Sequence, residues 1–177
     1  TIILIKLLTK LSFIIPKKII IVSKKAEDYY TKEGFDKSKF VFIPNGYDLN
    51  VLKPDKKRLK NFKKNQKKII PIIGNVARYH PKKDHNSLLE ALHHLRTKDI
   101  NFTCILVGTN IDRNNIKLVS EIKRLNLSKH VKLLGQNDNI TKIMNKIDVY
   151  VQSSSYGEGF PNVVAESMAC GTPCIVT

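Results

Sequence analysis

The chain contains no Trp, two Met and three Cys among 177 residues, and its aromatic content is 7%. The odd cysteines, Cys104, Cys170 and Cys174, sit in apolar surroundings without ligand spacing to one another or to a His pair. That excludes a disulfide framework and a zinc site, and suits buried thiols in a reducing compartment. Glycine and proline are sparse, at eight and seven, which excludes collagen and low-complexity chains. Arginine is scarce too: of 31 basic residues only five are Arg. Readers of base edges lean on the bidentate Arg fork, so the net charge of +16 argues poorly for nucleic acid. No apolar run reaches the roughly 20 residues of a membrane span.

What is present is uneven. Residues 1–52 carry +4, residues 53–68 carry +8 and residues 69–177 carry +4. Half the excess therefore lies in a sixteen-residue stretch without apolar period, which reads as a solvated connection. The chain starts at Thr1 and stops at Ile175-Val176-Thr177, a strand-like end, so the expectation is a segment of a longer protein with an exposed sheet edge at 174–177. Residues 2–15 are apolar around most of a helix but are interrupted by Lys6 and Lys10. They suit a helix covered by parts outside this chain, or an interfacial membrane helix.

The spacing predicts a strand at 19–22, a helix at 24–33 capped by Ser23 and ended by Gly34, and a strand at 40–43 broken by Pro44-Asn45-Gly46. Beyond residue 68, apolar runs at 69–73, 102–107, 131–134, 149–151 and 174–176 alternate with amphipathic stretches near 86–95, 115–125, 139–147 and 162–169. Short β-branched strands separated by helices mean parallel crossovers, hence an α/β doubly wound parallel sheet. Three parts follow: residues 1–46 as the end of one domain, 47–68 as a Lys-rich connection, and 69–177 as an incomplete Rossmann-like domain.

Ligands of such sheets lie at the carboxyl ends of the strands. After the first run the sequence reads Gly74-Asn75-Val76-Ala77-Arg78-Tyr79-His80-Pro81-Lys82-Lys83-Asp84-His85. Gly74 is expected at the strand end, allowing close backbone approach, while Arg78 and Lys83 supply two cations for an anion such as a diphosphate. His80 and His85 share the loop; His93, His94 and His130 suit surface or packing. The last crossover places Glu158 between Gly157 and Gly159, just before the helix start at Pro161-Asn162. The leading N–H groups of that helix, from about Gly159 to Val163, would hold an anionic or polyhydroxyl ligand, and Glu166 could accept two hydroxyls of a diol.

These stretches together resemble a known family. Gly159-Phe160-Pro161-Asn162-Val163 leading to Glu166, with Glu158 and Glu166 eight apart, is similar to the E-x7-E signature of retaining glycosyltransferases of family 4 with the GT-B fold. Arg78 and Lys83 match that family's phosphate-binding Arg and Lys. Ile43-Pro44-Asn45-Gly46-Tyr47-Asp48 resembles its interdomain I-P-N-G-V-D segment, with Tyr47 where Val is usual. Ile21-Val22-Ser23 resembles the element closing its N-terminal domain.

The resemblance implies transfer of a sugar from a UDP-, GDP- or ADP-linked donor to a saccharide or glycolipid acceptor, in polysaccharide or glycolipid synthesis, with retention and without a metal or other cofactor. Glu158 would then contact the donor sugar, Glu166 the ribose, and Arg78 and Lys83 the diphosphate. Phe160, Pro161, Asn162 and Val163 would line the site with their backbone. It further implies a cytoplasmic enzyme with peripheral contact to the inner membrane face through residues 2–15 and the Lys run. Most of the family's N-terminal domain and the last elements of its C-terminal domain have no counterpart in this sequence, so the chain by itself is expected to bind donor and transfer little. Two other readings remain open: another enzyme of this fold, such as a nucleotide-sugar epimerase or a starch or glycogen synthase, and a non-catalytic module that binds anionic surfaces through residues 53–68.

Overall fold

The computed structural model describes residues 2–56, 70–156 and 158–177. Most of the Lys-rich run falls outside them. The chain divides into two units, one comprising Thr1–Gly46 with Glu158–Pro161, the other Tyr47–Gly157 with Asn162–Thr177.

The first unit contains α1 (Ile2–Ser12), β1 (Ile19–Ile21), α2 (Lys24–Lys32) and β2 (Phe40–Phe42), with β1 parallel to β2. Helix α1 stops three residues short of the expected end. Lys39 explains this, because its ammonium donates to the carbonyls of Ser12 at 3.0 Å and Phe13 at 2.6 Å and so satisfies the last turn. Leu4, Leu7 and Leu8, at helical spacing, remain exposed. Ser23 caps α2 by accepting from the Ala26 N–H at 3.1 Å, and Gly34 leaves the helix at φ +90°. Among the described residues no helix is long and apolar enough to cross a membrane.

The second unit is a five-stranded parallel sheet in the order β5-β4-β3-β6-β7. Its strands are β3 (Ile72–Val76), β4 (Thr103–Val107), β5 (Val131–Leu133), β6 (Val149–Gln152) and β7 (Cys174–Val176). Its helices are α3 (His85–Thr97), α4 (Ile116–Arg124), α5 (Ile140–Met144) and α6 (Asn162–Ala169). Alternation along β4 divides the core. Cys104 and Leu106 pack with Leu88, Leu89 and Leu92 of α3 and Leu118 and Ile122 of α4, whereas Ile105 and Val107 pack with Ile143 and Met144 of α5 and Val164 of α6. Helices therefore cover both faces, as the alternating runs imply. Cys104 and Cys170 are buried free thiols and Cys174 is half-buried; burial pushes the Cys104 thiol up to about 12.

The first strand of this sheet lies further along the chain than the periodicity suggests. Pro71 lacks an N–H and uses only its carbonyl, which accepts from Thr103, so regular pairing begins at Ile72 and runs on through Gly74, Asn75 and Val76. Gly74 is thus a mid-strand residue and not the loop glycine expected at a strand end. A Cβ there would lie 2.1 Å from Ile147 Cδ1 and 2.4 Å from its Cγ1, so the absence of a side chain serves packing. Helix α5 is shorter than expected, because after Met144 the chain turns and its carbonyl takes the Thr172 hydroxyl at 3.0 Å.

His85, the first residue of α3, is only 3% exposed, and neither ring nitrogen has a partner among the described residues. Burial lowers its pKa from 6.5 to about 4, with Asp84 opposing and Lys83 reinforcing the shift. The ring is neutral when folded, so on acidification the unfolded chain takes up the proton first. Stability should be full above pH 6.5 and decline by about 3 kcal/mol as pH falls to about 4, where the folded ring also protonates. Urea midpoints across that range should show the slope, and His85→Phe should abolish it. Gly74→Ala should cost about 1–3 kcal/mol through overpacking, and Ile147→Ala in the same chain should recover part of the loss in a denaturation cycle.

Candidate functional site

The strand order reverses direction between β3 and β6, and the loops at the carboxyl ends of these two strands carry most of the candidate residues. The loop after β3 starts at Ala77. Its N–H donates to Val107 and that of Tyr79 to Thr109, both at 2.9 Å, which lays it along the end of β4. Gly108, at φ +147°, permits this approach, since a Cβ there would stand 2.1 Å from the Ala77 carbonyl oxygen. Its role was legible only in part: a glycine directly after an apolar strand is a signal of close approach, but what approaches is settled by the fold.

His80 caps the short turn Pro81–Lys83 by accepting from the Lys82 N–H at 3.2 Å. Asp84, in the left-handed region at φ +44°, caps α3 through the Ser87 N–H at 3.1 Å and hydroxyl at 2.7 Å. Two long-range bonds then tie this turn to the end of β6. The Ser155 N–H donates to the Lys82 carbonyl, and the Ser153 hydroxyl donates to the Lys83 carbonyl, each at 3.0 Å. Arg78 is exposed and makes no ion pair among the described residues, and it shares with Lys83 the loop that these bonds hold.

A buried polar chain underlies that brace. The Tyr150 hydroxyl donates to Gln152 Oε1 at 3.1 Å, and Gln152 Nε2 donates to Ser154 Oγ at 3.3 Å. Asn75 Nδ2 donates across the seam to the Val151 carbonyl at 2.8 Å. Sequence reasoning missed Asn75 and Gln152, because a polar residue at the end of an apolar run looks like the start of a loop.

Helix α6 begins at Asn162, as expected, and Asn162 Oδ1 accepts from the Tyr47 hydroxyl at 3.0 Å. Tyr47 thus holds the first residue of the helix. Val163 packs against the core, leaving its backbone at the helix start. Glu166 is half-buried one turn inside, and this burial raises its carboxyl above the usual range. Glu158, Gly159, Phe160 and Pro161 group with the first unit, where a Cβ on Gly159 would lie 2.8 Å from Ser23 Oγ at the N-terminus of α2. Arg78, Lys83, Asn162, Val163 and Glu166 belong to the second unit. His80 and His85 line a separate cleft of about 300 Å³ with Tyr79, Asp84 and Lys117, and the Tyr79 and His85 rings are 5.5 Å apart. Among the described residues, no group of three or more His, Cys, Asp or Glu could hold a metal ion.

This arrangement has counterparts. EpsF of Bacillus subtilis, described as a glycosyltransferase, is 32% identical over 150 residues, covering 84% of this chain and 38% of its own length. The UDP-Gal:alpha-D-GlcNAc-diphosphoundecaprenol alpha-1,3-galactosyltransferase of Escherichia coli is 30% identical over 146 residues, covering 80% of this chain and 37% of its own. The chain therefore spans little more than a third of the length of these relatives. The crystal structure of Anabaena Alr3699/HepE in complex with UDP and glucose superposes with a TM-score of 0.84 at 24% identity, over 99% of this chain and 48% of that one, which shows the GT-B fold. Residues 55–177 match the family described as glycosyl transferases group 1. With that match over most of its length, the chain belongs to the group 1 glycosyl transferases.

Proposed function

We propose that the chain is the donor-binding part of a retaining, metal-independent glycosyltransferase of family 4, which moves a sugar from a nucleotide-linked donor to a saccharide or glycolipid hydroxyl. The observation that carries this reading is the brace between the two loops at the strand-order reversal, where the Lys82 and Lys83 carbonyls accept from Ser155 and Ser153. A loop fixed in this way presents Arg78 and Lys83 without reorganisation, which is what an electrostatic site requires.

As the bond from the anomeric carbon to the phosphate oxygen breaks, negative charge grows on that oxygen. Arg78, Lys83 and the N–H groups at the start of α6 oppose it. Glu166 accepts the two ribose hydroxyls; their O–H donors favour the ionised carboxylate and so offset its partial burial. Glu158 contacts the donor sugar, and the backbone of Gly159, Phe160, Pro161, Asn162 and Val163 lines its place. Gly74 stands outside this set, because its position is taken up with Ile147. The E. coli relative's name specifies UDP-galactose and a diphosphoundecaprenol acceptor, and HepE was crystallised with UDP and glucose; both support a nucleotide-sugar donor. A cytoplasmic site of action at the inner membrane face fits an acceptor of the lipid-linked kind.

Thermal unfolding of the chain with UDP, GDP and ADP tests the donor site. A nucleotide at about 100 times its dissociation constant adds about 2.7 kcal/mol, or several degrees at this size. One nucleotide should raise Tm, and Arg78→Ala should remove most of the shift; no shift with any of the three would refute donor binding by this chain. Glu166→Gln should weaken nucleoside diphosphate binding about tenfold and leave inorganic pyrophosphate binding unchanged, measured by calorimetry. In a full-length protein containing this chain, Glu158→Gln should spare nucleotide binding and abolish transfer.

A further inference from the structure

The sheet has a second edge, β5, which lies at the opposite end from β7. In the β5–β4 ladder Cys104 N–H donates to the His130 carbonyl and Leu134 N–H to the Leu106 carbonyl, in the register Ile105↔Lys132. Backbone groups alternate sides along a strand, so Lys132 faces β4 while the Val131 carbonyl and both backbone groups of Leu133 face outward. Among the described residues, nothing pairs with those three groups.

Beside this edge runs a cleft of about 640 Å³. Its floor is apolar, made by Ile122 of α4 with Val131 and Leu133, and its rim is Arg113, Lys123, Lys129 and Lys132. Among the described residues no carboxylate lines it. Residues 69–177 hold thirteen Lys and Arg against nine Asp and Glu, an excess of four, and the cleft alone gathers four cations with no acid. Glu90 and Glu121, the carboxylates of the neighbouring helices, are both engaged by Arg124. The charge here is therefore concentrated, unlike an even scatter of surface lysines.

Charge and shape decide between occupants. A second copy of the chain would set four cations against four. A bilayer or a nucleic-acid rod would meet the rim but leave the apolar floor and the outward backbone groups unused. We propose that this edge docks an extended acidic segment of a partner protein, which adds as a strand to β5 and sets apolar side chains over Ile122, Val131 and Leu133, while its carboxylates meet Arg113, Lys123 and Lys129 around the cleft and Lys132 on the alternate face of the strand. Residues 131–134 offer about 13 Å of edge, enough for four or five residues of extended chain. The surface lies on the second unit and does not depend on the donor-site reading.

The test uses the full chain and a fluorescein-labelled heptapeptide of alternating Glu and Val, followed by fluorescence anisotropy. Binding should saturate and weaken about tenfold between roughly 50 and 300 mM salt. Lys129→Glu combined with Lys132→Glu, both exposed side chains, should weaken it a further tenfold or more while circular dichroism and Tm stay unchanged. N-methylation of alternate peptide amides keeps every charge, and in one of the two registers it should abolish binding. No saturable binding, or equal binding of both methylated peptides, overturns the proposal. So does binding to phosphatidylglycerol vesicles without binding to the peptide, or a dimer in sedimentation that the double variant dissociates.

Discussion

The seam between β3 and β6 is the constraint on which the second unit depends. Only Ile73↔Val149 and Gly74↔Tyr150 pair there as ladder residues. Side chains complete it: Asp148 Oδ2 accepts from the Ile72 N–H at 2.8 Å, and Asn75 Nδ2 donates to the Val151 carbonyl at 2.8 Å. Gly74 lets Ile147 close over the strand, so the turn into β6 sits hard against the centre of the sheet. Parallel strands cannot be joined by a tight turn, and each crossover must return over a face of the sheet. At the one place where the winding changes direction, two loops are left side by side above the seam.

That geometry explains why the site can be electrostatic. The loops after β3 and β6 are held together by backbone and hydroxyl bonds, so the backbone of the turn that bears Lys82 and Lys83 is fixed by the fold itself. The polar line from Tyr150 through Gln152 to Ser154 occupies buried space that an apolar core would otherwise fill, and each member has its partner. A satisfied network of this kind fixes a single arrangement of the loop above it. The same logic applies at Tyr47, whose hydroxyl holds the first residue of α6.

The two edges of the sheet differ in character. At β7 the half-buried Cys174 and the exposed Ile175 and Val176 form an apolar margin. At β5 the exposed residues are predominantly cationic, with an apolar floor recessed between the strand and α4. An edge guarded by like charge resists self-pairing while remaining open to a strand of opposite charge.

Local sequence determined the alternation of strands and helices, the cap at Ser23, and the start of α6 at Asn162, because periodicity and capping are properties of neighbouring residues. The spacing of Arg78, Lys83, Glu158 and Glu166 likewise marked them as candidates. Tertiary structure decided what depends on residues distant in sequence. The packing of β3 turned Gly74 from a loop glycine into a close contact with Ile147, seventy-three residues away. It also decided that the Ser153 hydroxyl and Ser155 N–H hold the Lys82–Lys83 turn, and that Glu158–Pro161 groups with the first unit. A hydrophobic pattern records which face of an element is buried, but it carries no information about which distant element buries it.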